Sequence, residues 1–285
     1  MQVFETVAPL RRQVSQWKQA GLKVGFVPTM GNLHAGHLSL VELAQQRCDK
    51  VVVSIFVNPK QFGPNEDFDR YPRTFEQDQS KLAALMTDAI FYPSVSEMYP
   101  KGVEQTTVKV PNSITTLLEG ASRPGHFDGV TTVVNKLFNM VLPDIAVFGQ
   151  KDYQQLAVIQ TMVEDLAMPI EIISAPIGRD KDGLALSSRN QYLDEQQRAI
   201  APKLNIALQN IEQAILSGNE AFKALATAST EQLLNEGFDA VEYVQVCDAR
   251  SLLPAKEFNC DLVILAVARL GSTRLLDNIV LNLDA

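Results

Sequence analysis

A chain of 285 residues, 46% apolar and 20% charged, has room for one large or two modest domains and can fold without disulfides or a structural metal. Its net charge of −8 and pI near 5.0 argue against a surface that coats nucleic acid, which needs a basic face, but not against a nucleotide substrate. Cys48, Cys247 and Cys260, an odd set without repeated spacing, read as free thiols. No apolar run approaches the ~20 residues of a membrane span, and the start lacks a signal peptide's charged and apolar regions. The expectation is a cytoplasmic protein with neither membrane nor nucleic-acid partners.

Taken in chain order, Thr6 and Pro9 suit the opening of a helix that Gly21 stops. Residues 23–27, 50–57, 89–92 and 144–148 then read as strands, separated or followed by helix-like segments at 36–48, 74–87, 130–141 and 152–166. Residues 170–174 add a fifth strand. Unbroken Val and Ile runs mark strands buried on both faces, and their alternation with helices predicts a doubly wound parallel α/β domain over residues 1–175. After Pro176 the pattern changes. Residues 194–217 and 220–237 read as helices and residues 241–246, 262–268 and 274–280 as strands, a smaller α+β domain over 176–285.

Chemistry concentrates first in Val27-Pro28-Thr29-Met30-Gly31-Asn32-Leu33-His34-Ala35-Gly36-His37-Leu38, between the first predicted strand and its helix. Ligands bind there in an α/β sheet, and a helix N-terminus favours phosphate. Gly31 and Gly36 have the glycine spacing of a P-loop, but His37 and Leu38 stand where that motif needs Lys and Ser or Thr. The H-x-G-H pair could be half a zinc site, yet His126 is the only other histidine and no Cys cluster exists. The favoured reading is two imidazoles aimed at one anion, with no protein metal site.

Three further segments support it. Gly183-Leu184-Ala185-Leu186-Ser187-Ser188-Arg189-Asn190 offers two hydroxyls and a guanidinium in a polar loop, a run that by itself reads as an ordinary solvated turn and gains value only beside the histidine motif. An early H-x-G-H with such a late loop is the paired signature of the nucleotidyltransferase superfamily. At the end of the 144–148 strand, Gly149, Gln150, Lys151 and Asp152 precede a helix. Lys151 there runs against the helix macrodipole, which favours a ligand reason for it, while Asp152 could cap the helix or meet a ribose. Where the second strand ends, Asn58 and Gln61 place neutral amides suited to a small hydroxylated acid, although the stretch by itself also fits an ordinary strand-to-loop exit.

These segments together resemble the pantothenate synthetase family. The matching runs are Val-Pro-Thr-Met-Gly-Asn-Leu-His-x-Gly-His (27–37), Ser-Ile-Phe-Val-Asn-Pro-x-Gln-Phe (54–62) and Tyr-Pro-Arg-Thr (71–74). They continue with Glu-Gly-Ala-Ser-Arg-Pro-Gly-His-Phe-x-Gly-Val (119–130), Gly-x-Lys-Asp-x-Gln-Gln-Leu (149–156) and Asp-Gly-Leu-Ala-Leu-Ser-Ser-Arg-Asn (182–190). The resemblance implies a ligase that activates pantoate with ATP and Mg²⁺ as a pantoyl-adenylate, then joins it to β-alanine. It also implies a Rossmann-like ATP domain, a smaller C-terminal lid and a homodimer. Met30, Gly31, Asn32, Leu33, His34, Ala35, Gly36 and His37 would line the ATP site, with Gly149, Gln150, Lys151 and Asp152 binding nucleotide. Leu186, Ser187, Ser188 and Arg189 would close over it together with Gly178. His34, His37, Lys151 and Arg189 would carry the phosphate chemistry. Gln61 and Gln155, with Asn58, Arg123 and His126, would border pantoate, and Gln61 would also meet β-alanine. Gly178 departs from the larger apolar residue expected there, which leaves a backbone contact. Lys60 and Gln150 fall at variable positions. The competing readings are a nucleotidyltransferase that stops after nucleotide transfer, a class I tRNA synthetase disfavoured by the acidic charge, and a nucleotide sensor that would not need these groups.

Overall fold

Valine and isoleucine runs build the first unit of the computed structural model, which describes residues 1–64 and 66–283. Strands β1 (Gln2–Phe4), β2 (Val24–Thr29), β3 (Lys50–Ile55), β4 (Ala89–Phe91), β5 (Ile145–Gly149) and β6 (Glu171–Ala175) form one sheet in the order β1-β4-β3-β2-β5-β6. Every pairing is parallel. The helices between them are α1 (Val7–Gln19), α2 (Ala35–Arg47), α3 (Phe75–Ala84), α4 (Val95–Met98), α5 (Asn112–Thr115), α6 (Leu118–Ser122), α7 (His126–Val141) and α8 (Tyr153–Asp165). On one face Val27, Val51, Val53, Ile90, Ile145 and Val147 join Leu40, Val41 and Ala44 of α2 and Leu82 of α3 in a single buried cluster. On the other face Phe138 of α7 meets Phe26 of β2 and Phe148 of β5 edge-on. The predicted doubly wound α/β class is therefore the observed one.

Strand order decides where a site forms. From β2 the chain winds outward through β3 and β4, then crosses back to lay β5 on the other side of β2. The direction reverses between β2 and β5, and a parallel sheet leaves its ligand crevice at that switch point, beyond the carboxyl ends. The loop with both histidines leaves β2, and Gly149-Gln150 leaves β5.

The second unit holds the antiparallel sheet β7 (Ala240–Asp248), β8 (Leu262–Leu270) and β9 (Thr273–Leu281) with helices α9 (Glu195–Ile200), α10 (Lys203–Leu216) and α11 (Phe222–Asn235). Its own core packs Leu204, Leu208, Ile211 and Leu233 against Leu262, Ile264 and Ala266. The units comprise Met1–Gln150 with Gln154–Pro176, and Lys151–Tyr153 with Ile177–Ala285.

The short helices α4, α5 and α6 have no counterpart in the sequence reading, and two further differences have a plain cause. Gln2–Phe4 is an edge strand paired with β4, too short and too exposed for a periodic signal. Residues 194–217 form two helices, because Ala201 and Pro202 interrupt them and proline lacks the N–H that a continuous helix requires.

Candidate active site

The turn after β2 uses backbone that most residues avoid. Gly31 (φ +84°) and Asn32 (φ +50°) are both left-handed. A Cβ on Gly31 would lie 3.0 Å from Ile55 Cγ2 and 3.1 Å from Asp78 Oδ2, so glycine alone fits comfortably. His34 then caps α2. Its Nδ1 accepts the Gly36 N–H at 3.2 Å, and His37 Nδ1 accepts the His34 N–H at 3.3 Å. The two rings lie 4.0 Å apart between centroids, tilted by 39°. A ring nitrogen that accepts a backbone N–H carries no proton, so each neutral imidazole keeps its proton on Nε2. The local chain thus sets two Nε2–H donors beside a helix N-terminus, where negative charge is favoured.

One residue that sequence reasoning passed over organises this turn. Asp78, fully buried in the first turn of α3, accepts the Leu33 N–H at 2.7 Å on Oδ1 and the Asn32 N–H at 2.8 Å on Oδ2. Thr74 Oγ1 donates to Oδ2 at 3.2 Å, and Lys81 Nζ donates to the Leu33 carbonyl at 2.6 Å. Asn32 and Leu33 therefore turn their N–H groups inward. The P-loop analogy fails here for a physical reason: amides that would cradle phosphate are occupied by a carboxylate. Leu33 itself is core, 2% exposed, so it reaches a ligand through backbone or not at all. Met30, Gly36 and His37 are half-buried, and Ala35 is exposed.

Beyond β3, Asn58, Pro59, Lys60 and Gln61 form a 3₁₀ turn capped by Asn58. Asn58 is 1% exposed and its amide is fully engaged. Its Oδ1 accepts from Lys60 N–H and Tyr99 O–H, and its Nδ2 donates to Gln61 Oε1 and the Gly129 carbonyl. Asn58, expected as a ligand-facing amide, is turned onto Gln61 in this structure. Gln61 Nε2 donates to Met30 Sδ at 3.2 Å, which links this turn to the histidine loop.

Arg123 and His126 also converge on Gln61. Arg123 pairs with Glu66 at 2.6 Å through both Nε and Nη2, and its Nη1 lies 2.9 Å from His126 Nε2. Since the guanidinium only donates, His126 Nε2 accepts and Nδ1–H donates to the Gln61 carbonyl at 2.8 Å. Burial, reinforced by the Arg123 charge, pushes the His126 pKa down to about 4, which keeps this ring neutral. Both residues hold the backbone of Gln61. Past β5, Gln154 is buried and clamps Glu119 N–H and the carbonyls of Ile114 and Leu117. Gln155, one position on and turned around the helix, is half-buried. Gln61, Met30 and Gln155 thus follow the adjacent strands β3, β2 and β5. A cavity of about 390 Å³ also touches Met30 and Gly31, walled by Phe56, Phe75 and Tyr92.

In the second unit, the Gly178 carbonyl accepts the Leu186 N–H at 2.8 Å, closing a loop across the Arg179–Ala185 bridge. Arg179 anchors that loop, donating to Asp277 at 2.7 and 2.9 Å and to the Gly183 carbonyl at 3.0 Å. Ser187 Oγ accepts the Arg189 N–H and caps the 3₁₀ turn Ser188–Tyr192. Leu186, Ser187, Ser188 and Arg189 are all half-buried. Lys151 pairs with Asp152 at 3.2 Å, and its carbonyl accepts from Asn278. Both precede α8, so Lys151 is not one of that helix's turns.

Comparison with known proteins agrees across the whole chain. The family model described as pantoate-beta-alanine ligase matches residues 2–280. A pantothenate synthetase of Hydrogenovibrio crunogenus is 62% identical over 99% of this chain and 100% of its own. The crystal structure of pantothenate synthetase from Thermus thermophilus is 44% identical with a TM-score of 0.91, covering 98% of this chain and 99% of that one. A pantoate-beta-alanine ligase from Francisella tularensis, crystallised with beta-gamma ATP and beta-alanine, is 35% identical with a TM-score of 0.80 over 100% of this chain and 98% of its own. The chain belongs to the pantoate-beta-alanine ligase family.

Proposed function

We propose that this chain activates pantoate with ATP as pantoyl-adenylate and transfers the pantoyl group to β-alanine, releasing pyrophosphate and AMP. The observation that carries the reading is the pair of Nε2–H donors fixed by His34 and His37 at the N-terminus of α2, beside the β2–β5 switch point. Pantoate's carboxylate attacks the α-phosphorus in line, and charge grows on the phosphate oxygens and on departing pyrophosphate. His34 and His37 offer preorganised donors to that charge, and the family resemblance adds Lys151, Ser187, Ser188 and Arg189 to the groups that stabilise it. Met30–His37, Gly149–Asp152, Gly178 and Leu186–Arg189 form the nucleotide site in this reading. Magnesium is part of the substrate, carried on the ATP phosphates.

Gln61 and Gln155 hold pantoate, and Gln61 also meets β-alanine. Asn58, Arg123 and His126 act by fixing Gln61. The amine of β-alanine, unprotonated, attacks the mixed anhydride and expels AMP. Family membership supports a homodimer in the cytoplasm, with residues 176–285 as a lid. No helix among the described residues is long and apolar enough to cross a membrane. Sedimentation at micromolar concentration showing only monomer would remove the dimer.

Isotope exchange tests the reaction. Pyrophosphate exchange into ATP is expected with pantoate alone, whereas AMP release at turnover needs pantoate and β-alanine together. Exchange that requires a different acid or alcohol would instead favour a transferase that stops at nucleotide transfer.

A further inference from the structure

Two elements meet at the histidine turn, and only one of them carries the histidines. The other, α3, docks on the sheet through Leu82, which is fully buried, and through Phe75, stacked on Tyr92 at 4.1 Å between ring centroids. From that platform its first turn presents Asp78 beneath the left-handed residues Gly31 and Asn32. One carboxylate oxygen takes Leu33 N–H, the other takes Asn32 N–H and the Thr74 hydroxyl. Lys81, on the same helix, holds the Leu33 carbonyl. His34 follows directly, and its N–H is the donor that fixes the His37 ring. A displacement at residues 32–33 is therefore passed to both imidazoles through covalent backbone and one hydrogen bond.

We infer that Asp78 is a positioning residue for adenylation, holding the turn so that the His34 and His37 rings stay paired and aimed. The inference deepens the proposed function and rests on it only where it speaks of rate. Asparagine has nearly the same shape but only one acceptor oxygen, so its NH₂ must face Asn32 N–H or Leu33 N–H. Glutamate is one methylene longer in a site where Gly31 leaves no slack. Neither substitution reproduces the native grip.

A double-mutant cycle decides whether Asp78 works through the histidines. Misplacing a catalytic group by on the order of 1 Å can cost roughly a hundredfold, so Asp78→Asn is expected to lower the adenylation kcat about tenfold to a hundredfold. The pantoate KM should change by less than about threefold, since a donor used only in the transition state affects kcat. In a His37→Ala background the same substitution should cost under about threefold, because the group it positions is gone. An equal fold-loss in both backgrounds, or a normal kcat, overturns the inference. If Asp78→Asn does not fold, Thr74→Val, which removes one donor to the carboxylate, is put through the same cycle with the same criteria. With only three histidines in the chain, imidazole NMR supplies a readout independent of reaction. Asp78→Asn should move the His34 and His37 ring signals and leave those of His126 in place. Unmoved His34 and His37 signals overturn the inference even if the proposed reaction itself proves to be a different one.

Discussion

His34 spends Nδ1 on the Gly36 N–H, so substitutions can separate its two ring nitrogens. Asparagine at a helix N-cap supplies an equivalent acceptor, whereas alanine supplies none, at a typical cost of ~1 kcal/mol. His34→Asn should therefore keep the thermal midpoint near wild type while His34→Ala lowers it. Both should lose adenylation by roughly a hundred- to a thousandfold, the usual effect of removing one preorganised donor. Single-turnover formation of pantoyl-adenylate beside a melt of each variant is the measurement, and near-normal adenylation in His34→Asn would take the ring out of the chemistry. His126 answers to pH instead. Buried at 9% exposure and held neutral, it takes a proton only near pH 4, against 6.5 ordinarily. Between those values the unfolded chain binds more protons than the folded one. Stability is thus complete above pH 6.5 and falls as pH drops toward 4, by on the order of 3 kcal/mol from this residue. His126→Asn keeps an N–H donor for the Gln61 carbonyl but cannot titrate. Urea titrations across that window should show a flatter decline in the variant, and identical slopes would refute the assignment.

Elements explain which parts of the site were readable in sequence. The strands β2, β3 and β5 were legible because burial on both faces demands unbroken apolar runs, and the loops at their carboxyl ends followed from topology. His34 and His37 stood out because their residue type has few reasons to sit at such a loop, whereas Gln61 was singled out by the family resemblance. Asp78 did not, since an aspartate in a helix's first turn is already favoured by the macrodipole. What singles it out is that α3 lays that turn under Gly31, a tertiary fact. The contacts of Asn58, Arg123 and His126 with Gln61 were not legible for the same reason. Their polar groups converge on Gln61 because α7 approaches the 3₁₀ turn closely. Gly129 of α7 makes that approach possible: a Cβ there would run into the Lys60 carbonyl and lie 2.8 Å from Gln61 Cα. A side-chain pattern along one segment cannot show how tightly a second segment is packed on it.

Across the whole molecule, the residues assigned to ATP are divided between two cores. Met30–His37 and Gly149-Gln150 belong to the first unit, while Lys151, Asp152, Gly178 and Leu186–Arg189 belong to the second. Lys151–Tyr153 also ties the chain into the second unit, through Asn278 on the Lys151 carbonyl at 2.9 Å and Tyr153 on the Ala249 carbonyl at 3.0 Å. A nucleotide contacting both sets must couple two structures that each have their own hydrophobic cluster. Any ligand that binds only the folded state stabilises it by RT ln(1 + [L]/Kd), ~2.7 kcal/mol at a hundredfold excess over Kd. The distribution of that stabilisation identifies the contacts. Hydrogen exchange with a β,γ-nonhydrolysable ATP and Mg²⁺ is expected to slow amides in residues 30–37 and in residues 186–189 together. Protection confined to residues 30–37 would assign the nucleotide to the first unit alone and withdraw Ser187, Ser188 and Arg189 from the adenylation step.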